Sequence, residues 1–129
     1  MKRTSEKLSL TVVLDLPPKE LSPNFRCHWA AKSKAKAAHR LHTKEQCVLA
    51  AVAADWPVGK ALSEPVVKVA HYNGRNVKID RDNILASLKA AFDGLTDAGI
   101  WPDDCDVTYL AVVREVDREN PRVELIISE

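Results

Sequence analysis

The chain of 129 residues contains no apolar run approaching the roughly 20 residues that a bilayer-spanning helix needs. Its opening, Met1-Lys-Arg-Thr-Ser-Glu-Lys7, leads into a short alternating stretch and lacks the small-residue cleavage site of a secretory signal. Both absences predict a cytoplasmic protein with no membrane partner. Cysteine is scarce as well. Cys27, Cys47 and Cys105 are odd in number, far apart and form no CxxC pair, which speaks against a zinc ribbon and against a disulfide framework. Repeats, low-complexity tracts and interdomain linkers are missing too, so a single domain over residues 1–129 is expected.

What is present suits a small folded domain. Hydrophobic residues make up 46%, enough to bury a core, and charged residues 29%, which separates the chain from a disordered one. The net charge of +1 conceals an uneven distribution. Arg26, Lys32, Lys34, Lys36, Arg40 and Lys44 follow one another with no acid between them, and His28, His39 and His42 lie among them. From Asp80 to Asp106 the balance reverses: Asp80, Asp82, Asp93, Asp97, Asp103, Asp104 and Asp106 face only Arg81 and Lys89. A basic arm beside an acidic cluster fits a polyanion held near a metal-binding centre. Two solvated helix faces of opposite sign fit it equally well.

Hydrophobic periodicity predicts the elements. Leu8, Leu10, Val12 and Leu14 alternate as in a half-buried strand, ended by Asp15-Leu-Pro-Pro18. Residues 17–29 read as a loop. A long alanine-rich helix is expected from Trp29 to Asp55, with Leu41, Val48, Leu49, Val52 and Trp56 at helical spacing and Pro57-Val-Gly59 ending it. Trp29 is expected in the core at the start of that helix, with packing against a base or sugar as the alternative. Val66–Tyr72 reads as a second strand and Asn73-Gly74 as a turn. Ile84, Leu85, Leu88, Ala91, Phe92 and Leu95 mark a second helix. Val107–Val116 and Arg122–Ile127 read as two further strands, joined as a hairpin through Asp117–Pro121. The order β-α-β-α-β-β predicts a mixed α+β domain: a small mixed sheet with two main helices.

The segment Asp80-Arg81-Asp82-Asn83 is the most informative. Carboxylates at i and i+2 of an extended stretch share a side, and their mutual repulsion is relieved by a cation between them. Magnesium takes a few carboxylate oxygens and keeps its other positions for water and phosphate. Asp103-Asp104 offers a third acid. Lys89, seven residues after Asp82, shares nearly the same face of a continuous helix and is suited to orient water or to neutralise a phosphate oxygen. The plainer alternative is that Asp80–Asn83 only caps a helix, Asp103-Asp104 only follows a turn, and Lys89 is an ordinary exposed residue.

In order and spacing, Asp80-Arg-Asp-Asn83, Lys89-Ala-Ala-Phe-Asp93, Leu95, Ala98-Gly99, Trp101 and Asp103-Asp104 resemble the RusA family of Holliday junction resolvases. So do Leu16-Pro17-Pro18, Ser22-Pro23-Asn24 and the basic aromatic stretch after them. The likeness runs over roughly residues 8 to 128 and is densest from Asp80 to Asp104. It implies a homodimeric, Mg²⁺-dependent endonuclease, with Mn²⁺ able to substitute, that cuts four-way DNA junctions symmetrically and leaves a 5′-phosphate and a 3′-hydroxyl. No small-molecule cofactor is implied. Asp80 and Asp82 match the two metal-binding aspartates, Asp104 the third, and Asn83 the motif's supporting asparagine. The sequence departs at the lysine. The family's lysine often lies four residues after the second aspartate, where this chain has Ala86; Lys89 comes three residues later, about 4.5 Å along a helix axis.

Under this reading Asp80, Asp82 and Asp104 hold Mg²⁺ and Lys89 stabilises developing charge. Asn24, Arg26, Lys32, Lys34, Lys36, Arg40, Arg75, Lys78 and Arg81 contact DNA. Two other classes compete. A non-catalytic DNA-binding dimer of the same fold is opposed by the intact acidic set, and a metal-binding regulatory protein leaves the basic arm unexplained.

Overall fold

The computed structural model describes residues 8–57 and 59–129, with the backbone but not the side chain of Asp104. Strand β1 (Ser9–Leu14) leads through a 3-10 turn (Lys19–Leu21) into helix α1 (Trp29–Ala53). Strand β2 (Val66–Asn73) is followed by α2 (Arg81–Ser87), α3 (Lys89–Asp97), a second 3-10 turn (Asp104–Asp106), β3 (Thr108–Val116) and β4 (Arg122–Ser128). This is the mixed α+β architecture expected from the periodicity.

The four strands form one sheet in the order β1-β4-β2-β3. β4 runs antiparallel to both β1 and β2, and β2 runs parallel to β3. The parallel pair needs a long crossover, which α2 and α3 supply. The expected hairpin between the last two strands does not form, because β2 lies between them. Burial explains the placement. In β4, Val123, Leu125 and Ile127 are all fully buried and alternate without interruption, as a central strand requires. β3 exposes Tyr109, Leu110 and Val116 and takes the edge. The 117–121 connection therefore crosses the end of β2. The Asp117 amide donates to the Asn73 carbonyl oxygen at 2.8 Å, and Pro121 packs so closely that a Cβ on Gly74 would stand 2.9 Å from its Cγ.

The second helical segment is also not one helix. Leu88, fully buried at φ −101° and ψ 6°, separates α2 from α3, and its amide turns back to the Leu85 carbonyl oxygen at 3.1 Å. Ile84 on one side and Ala91 and Leu95 on the other all reach the core. The break falls between Asp82 and Lys89, so the helical phase that relates the two in the sequence does not carry across it.

Helix α1 packs on α3 and β1 through His39, Thr43 and Cys47 rather than through the apolar stripe that marks it in the sequence. Leu41, Val48, Leu49 and Val52 face outward, Val52 being 75% exposed. The cause is close approach. Gly94 of α3 lies against the α1 backbone, where an added Cβ would strike the Arg40 carbonyl oxygen and stand 3.0 Å from the Thr43 Cβ. Small and polar side chains fit that narrow gap and leucines do not.

Candidate functional site

Asp80 and Asp82 stand where the loop after β2 enters α2. Only Asp80 is extended, at φ −61° and ψ 139°; α2 begins at Arg81. Strand alternation therefore does not set the relation between the two carboxylates, contrary to the expectation for an extended stretch. Asp80 occupies the position before the first helical residue, yet its side chain makes no capping hydrogen bond. Asp82 Oδ1 accepts from the Asn83 amide at 3.0 Å. Both residues are exposed. The capping explanation thus fails for Asp80, whose carboxylate stays available to a ligand.

Three anchors hold this segment. Ile84 drops into the core. Arg81 Nε donates to the Val112 carbonyl oxygen of β3 at 2.8 Å, and Arg114 Nη1, from β3 itself, donates to the Ile79 carbonyl oxygen at 3.0 Å. Arg81, expected to contact DNA, is thus tied through its Nε to the neighbouring strand.

The Asp103-Asp104 loop is fixed from its start. Trp101 is fully buried and its Nε1 donates to Thr96 Oγ1 at 2.7 Å. Asp103 Oδ1 accepts from the Cys105 amide at 3.1 Å, and the 3-10 turn that opens at Asp104 packs on α3. The Asp104 carboxylate, expected as the third acid, lies outside the described atoms. Among the described residues no group of three or more His, Cys, Asp or Glu side chains forms a metal site. Lys89 Nζ bonds Asp93 Oδ1 at 3.0 Å, one turn along α3.

Beside Asp80 opens a cleft of about 430 Å³. Asn24, Lys78 and Asn83, all expected near the chemistry, line it together with Asp80. His71 of β2 lines it as well, a residue that the sequence does not single out. Within Val66–Tyr72 it reads as one more residue of a buried strand, and nothing in its sequence context marks it. Burial pushes the His71 imidazole below its ordinary pKa. A second cleft of about 420 Å³ shares His71, Lys78 and Ile84 and adds Arg114 and Glu115.

The loop that leaves this cleft at Asn24 delivers the basic arm. Arg26, Lys34 and Lys36 are exposed and Lys32 is half-buried; Arg75, in the loop after β2, is exposed. Arg40 differs from these. Its Nε and Nη2 bond Asp97 Oδ2 and Oδ1 at 2.5 and 2.8 Å, so the fork expected to hold phosphate instead clamps α1 to the end of α3. The bond raises the Arg40 pKa and lowers that of Asp97. Trp29, expected in the core, is 75% exposed and lies against His28 with ring centroids 5.6 Å apart. His28 Nδ1 accepts from the Ala30 amide at 3.1 Å and caps α1.

Residues 23–128 match the family model of the endodeoxyribonuclease RusA. The chain is also 34% identical over 93 residues to an "Uncharacterized protein" of Xylella fastidiosa (strain Temecula1 / ATCC 700964), across 68% of this chain and 56% of that protein's length. The aligned region thus spans little more than half of that relative. The family match takes in the loop at Asn24, the Asp80–Asn83 segment, Lys89 and the Asp103-Asp104 loop, the positions at which the sequence carries its acidic and basic groups, and by it the chain belongs to the RusA endodeoxyribonuclease family.

Proposed function

We propose that this protein is a Mg²⁺-dependent, structure-specific endonuclease that resolves Holliday junctions or other branched DNA in recombination and repair. The observation that supports this most directly is the cleft in which Asp80 meets Asn24, Lys78 and Asn83, in a chain of the RusA family. The carboxylates of Asp80 and Asp82 are hard oxygen donors on an exposed edge, and Asp80 is not spent on capping; such donors fit Mg²⁺ or Mn²⁺. Asp80, Asp82 and Asp104 would hold the ion. When bound, it supplies Lewis-acid activation of water and charge neutralisation at the scissile phosphate.

The chain's own groups do the rest. Lys78 and Arg75 attract the backbone, and Asn24 orients it without charge. Lys89, held by Asp93 in α3, offsets negative charge that grows on the phosphate oxygens in the transition state. Lys32, Lys34, Lys36 and Arg26 extend the positive track. Paired cuts of matched polarity in one junction call for two sites related by a two-fold axis, and therefore for a homodimer. A non-catalytic DNA-binding dimer is the competing reading.

Purified protein incubated with a labelled synthetic four-way junction and a matching linear duplex, with and without Mg²⁺, separates the two. Symmetric, magnesium-dependent nicking of the junction is the expected result. Magnesium-independent binding without cutting overturns the enzyme reading in favour of the binding module.

A further inference from the structure

We infer that the cleft beside Asp80 is a pocket for one unpaired nucleobase, drawn out of its stack next to the phosphate to be cut. The inference rests on the nuclease reading above and deepens it. The lining of the cleft combines apolar surface with uncharged hydrogen-bonding groups beside Lys19, Lys78 and Asp80. Leu16, Pro17 and Pro18 contribute the apolar part. Prolines carry no N–H, so the stretch offers an apolar surface for the face of a flat ring with few groups left to hydrate. Groups that hydrogen-bond without charge line it as well: His71, Asn24 and Asn83. Amides and imidazoles pair with the edges of bases, which present donors and acceptors in fixed patterns.

Asn73 also lines the cleft, but its Oδ1 accepts from the Arg75 amide at 3.1 Å and its Nδ2 reaches the Val77 carbonyl oxygen at 3.5 Å, so it shapes the loop instead of reading a ligand. Lys78 is exposed and lines the same cleft, suited to the phosphate of the nucleotide whose base lies inside. Asp80 belongs to the same lining, so a base in the pocket leaves its own phosphodiester within one nucleotide of that carboxylate. A base at a branch point reaches the cleft at least cost, because unstacking costs least where pairing is already broken.

The test uses the full-length protein and two sets of four-way junctions. In one set a single abasic site is walked past the cut position. In the other 2-aminopurine replaces the base at each of the same positions, and binding is read by fluorescence with magnesium withheld. The expected result is one position at which loss of the base slows cutting roughly ten- to a hundredfold and at which 2-aminopurine brightens on binding. His71→Leu, which keeps an apolar side chain in β2, should abolish the difference between normal and abasic junctions at that position. Should this variant not fold, the two junction sets with the unaltered protein decide the matter. Equal cutting of all abasic junctions with no fluorescence change overturns the pocket and leaves the nuclease standing. Failure to bind or cut any junction overturns both.

Discussion

Arg114, on the edge strand β3, donates from Nη1 to the carbonyl oxygen of Ile79 at 3.0 Å, one residue before Asp80. Arg81 makes the reverse connection, from α2 to the Val112 carbonyl oxygen of β3 at 2.8 Å. The two guanidinium groups lash the segment carrying both aspartates to the edge of the sheet. Arg114→Ala removes the donor from a part-buried carbonyl. A thermal melt should show a loss of about 1–3 kcal/mol. Cutting should fall by more than stability alone accounts for, because a small displacement of Asp80 spoils the geometry of the site. Full activity in a well-folded Arg114→Ala protein would show that the lashing does not position the acids.

Asp82→Asn separates chemistry from binding. The side chain keeps its size and its oxygen for the Asn83 amide, so the start of α2 is preserved. Cutting should disappear while junction affinity stays the same or rises slightly, since a negative charge beside phosphate has been removed. Gel-shift and cleavage assays on one preparation check both arms. Normal cutting counts directly against the mechanism.

The basic arm divides into two kinds of residue. Lys34 and Lys36 are exposed, whereas Arg40 is held by Asp97. Lys34→Ala with Lys36→Ala should weaken binding to every DNA shape and lower the slope of log K against log salt by about 0.9 for each phosphate no longer neutralised. Junction preference should persist, because lysines that hold phosphate carry no base information. Arg40→Ala should instead lower the melting temperature and leave the salt slope unchanged. An unchanged slope in the lysine variant moves the DNA surface elsewhere.

Acid should destabilise the fold through His39. This residue is 4% exposed, and its Nε2 has no hydrogen-bond partner among the described residues. Burial chiefly, and His42 beside it, push its pKa down to about 4, against a smaller opposing pull from Asp15. Between pH 6.5 and about 4 the unfolded chain takes up a proton that the folded one refuses, so stability falls as pH drops through that window. The full loss is on the order of 3 kcal/mol. Denaturant titrations at a series of pH values should show this slope in the native protein and a flatter one in His39→Leu. The same slope in both would clear His39 of the effect.

The sequence alone determined most of the elements and the family. Alternation located the strands, and β1 buries Leu10, Val12 and Leu14 as its pattern requires. The spacing of Asp80, Asp82, Lys89 and Asp104 carried the family resemblance without any structure. These signals are local, because side-chain period and motif spacing are properties of neighbouring residues. Tertiary structure decided what depends on residues far apart in the chain. β4 pairs with β1 across more than a hundred residues, and no turn signal records that choice over the shorter hairpin to β3. Gly94 against Arg40 reversed the face by which α1 docks, leaving Leu41 and Val52 outside. Leu88 broke the helix that the periodicity ran through. Asp97, 57 residues away, took the guanidinium of Arg40, and His71 became part of the Asp80 cleft through the placement of β2 in the fold. A residue's local pattern fixes which faces it can present; what stands opposite, and so what the residue does, is fixed by packing.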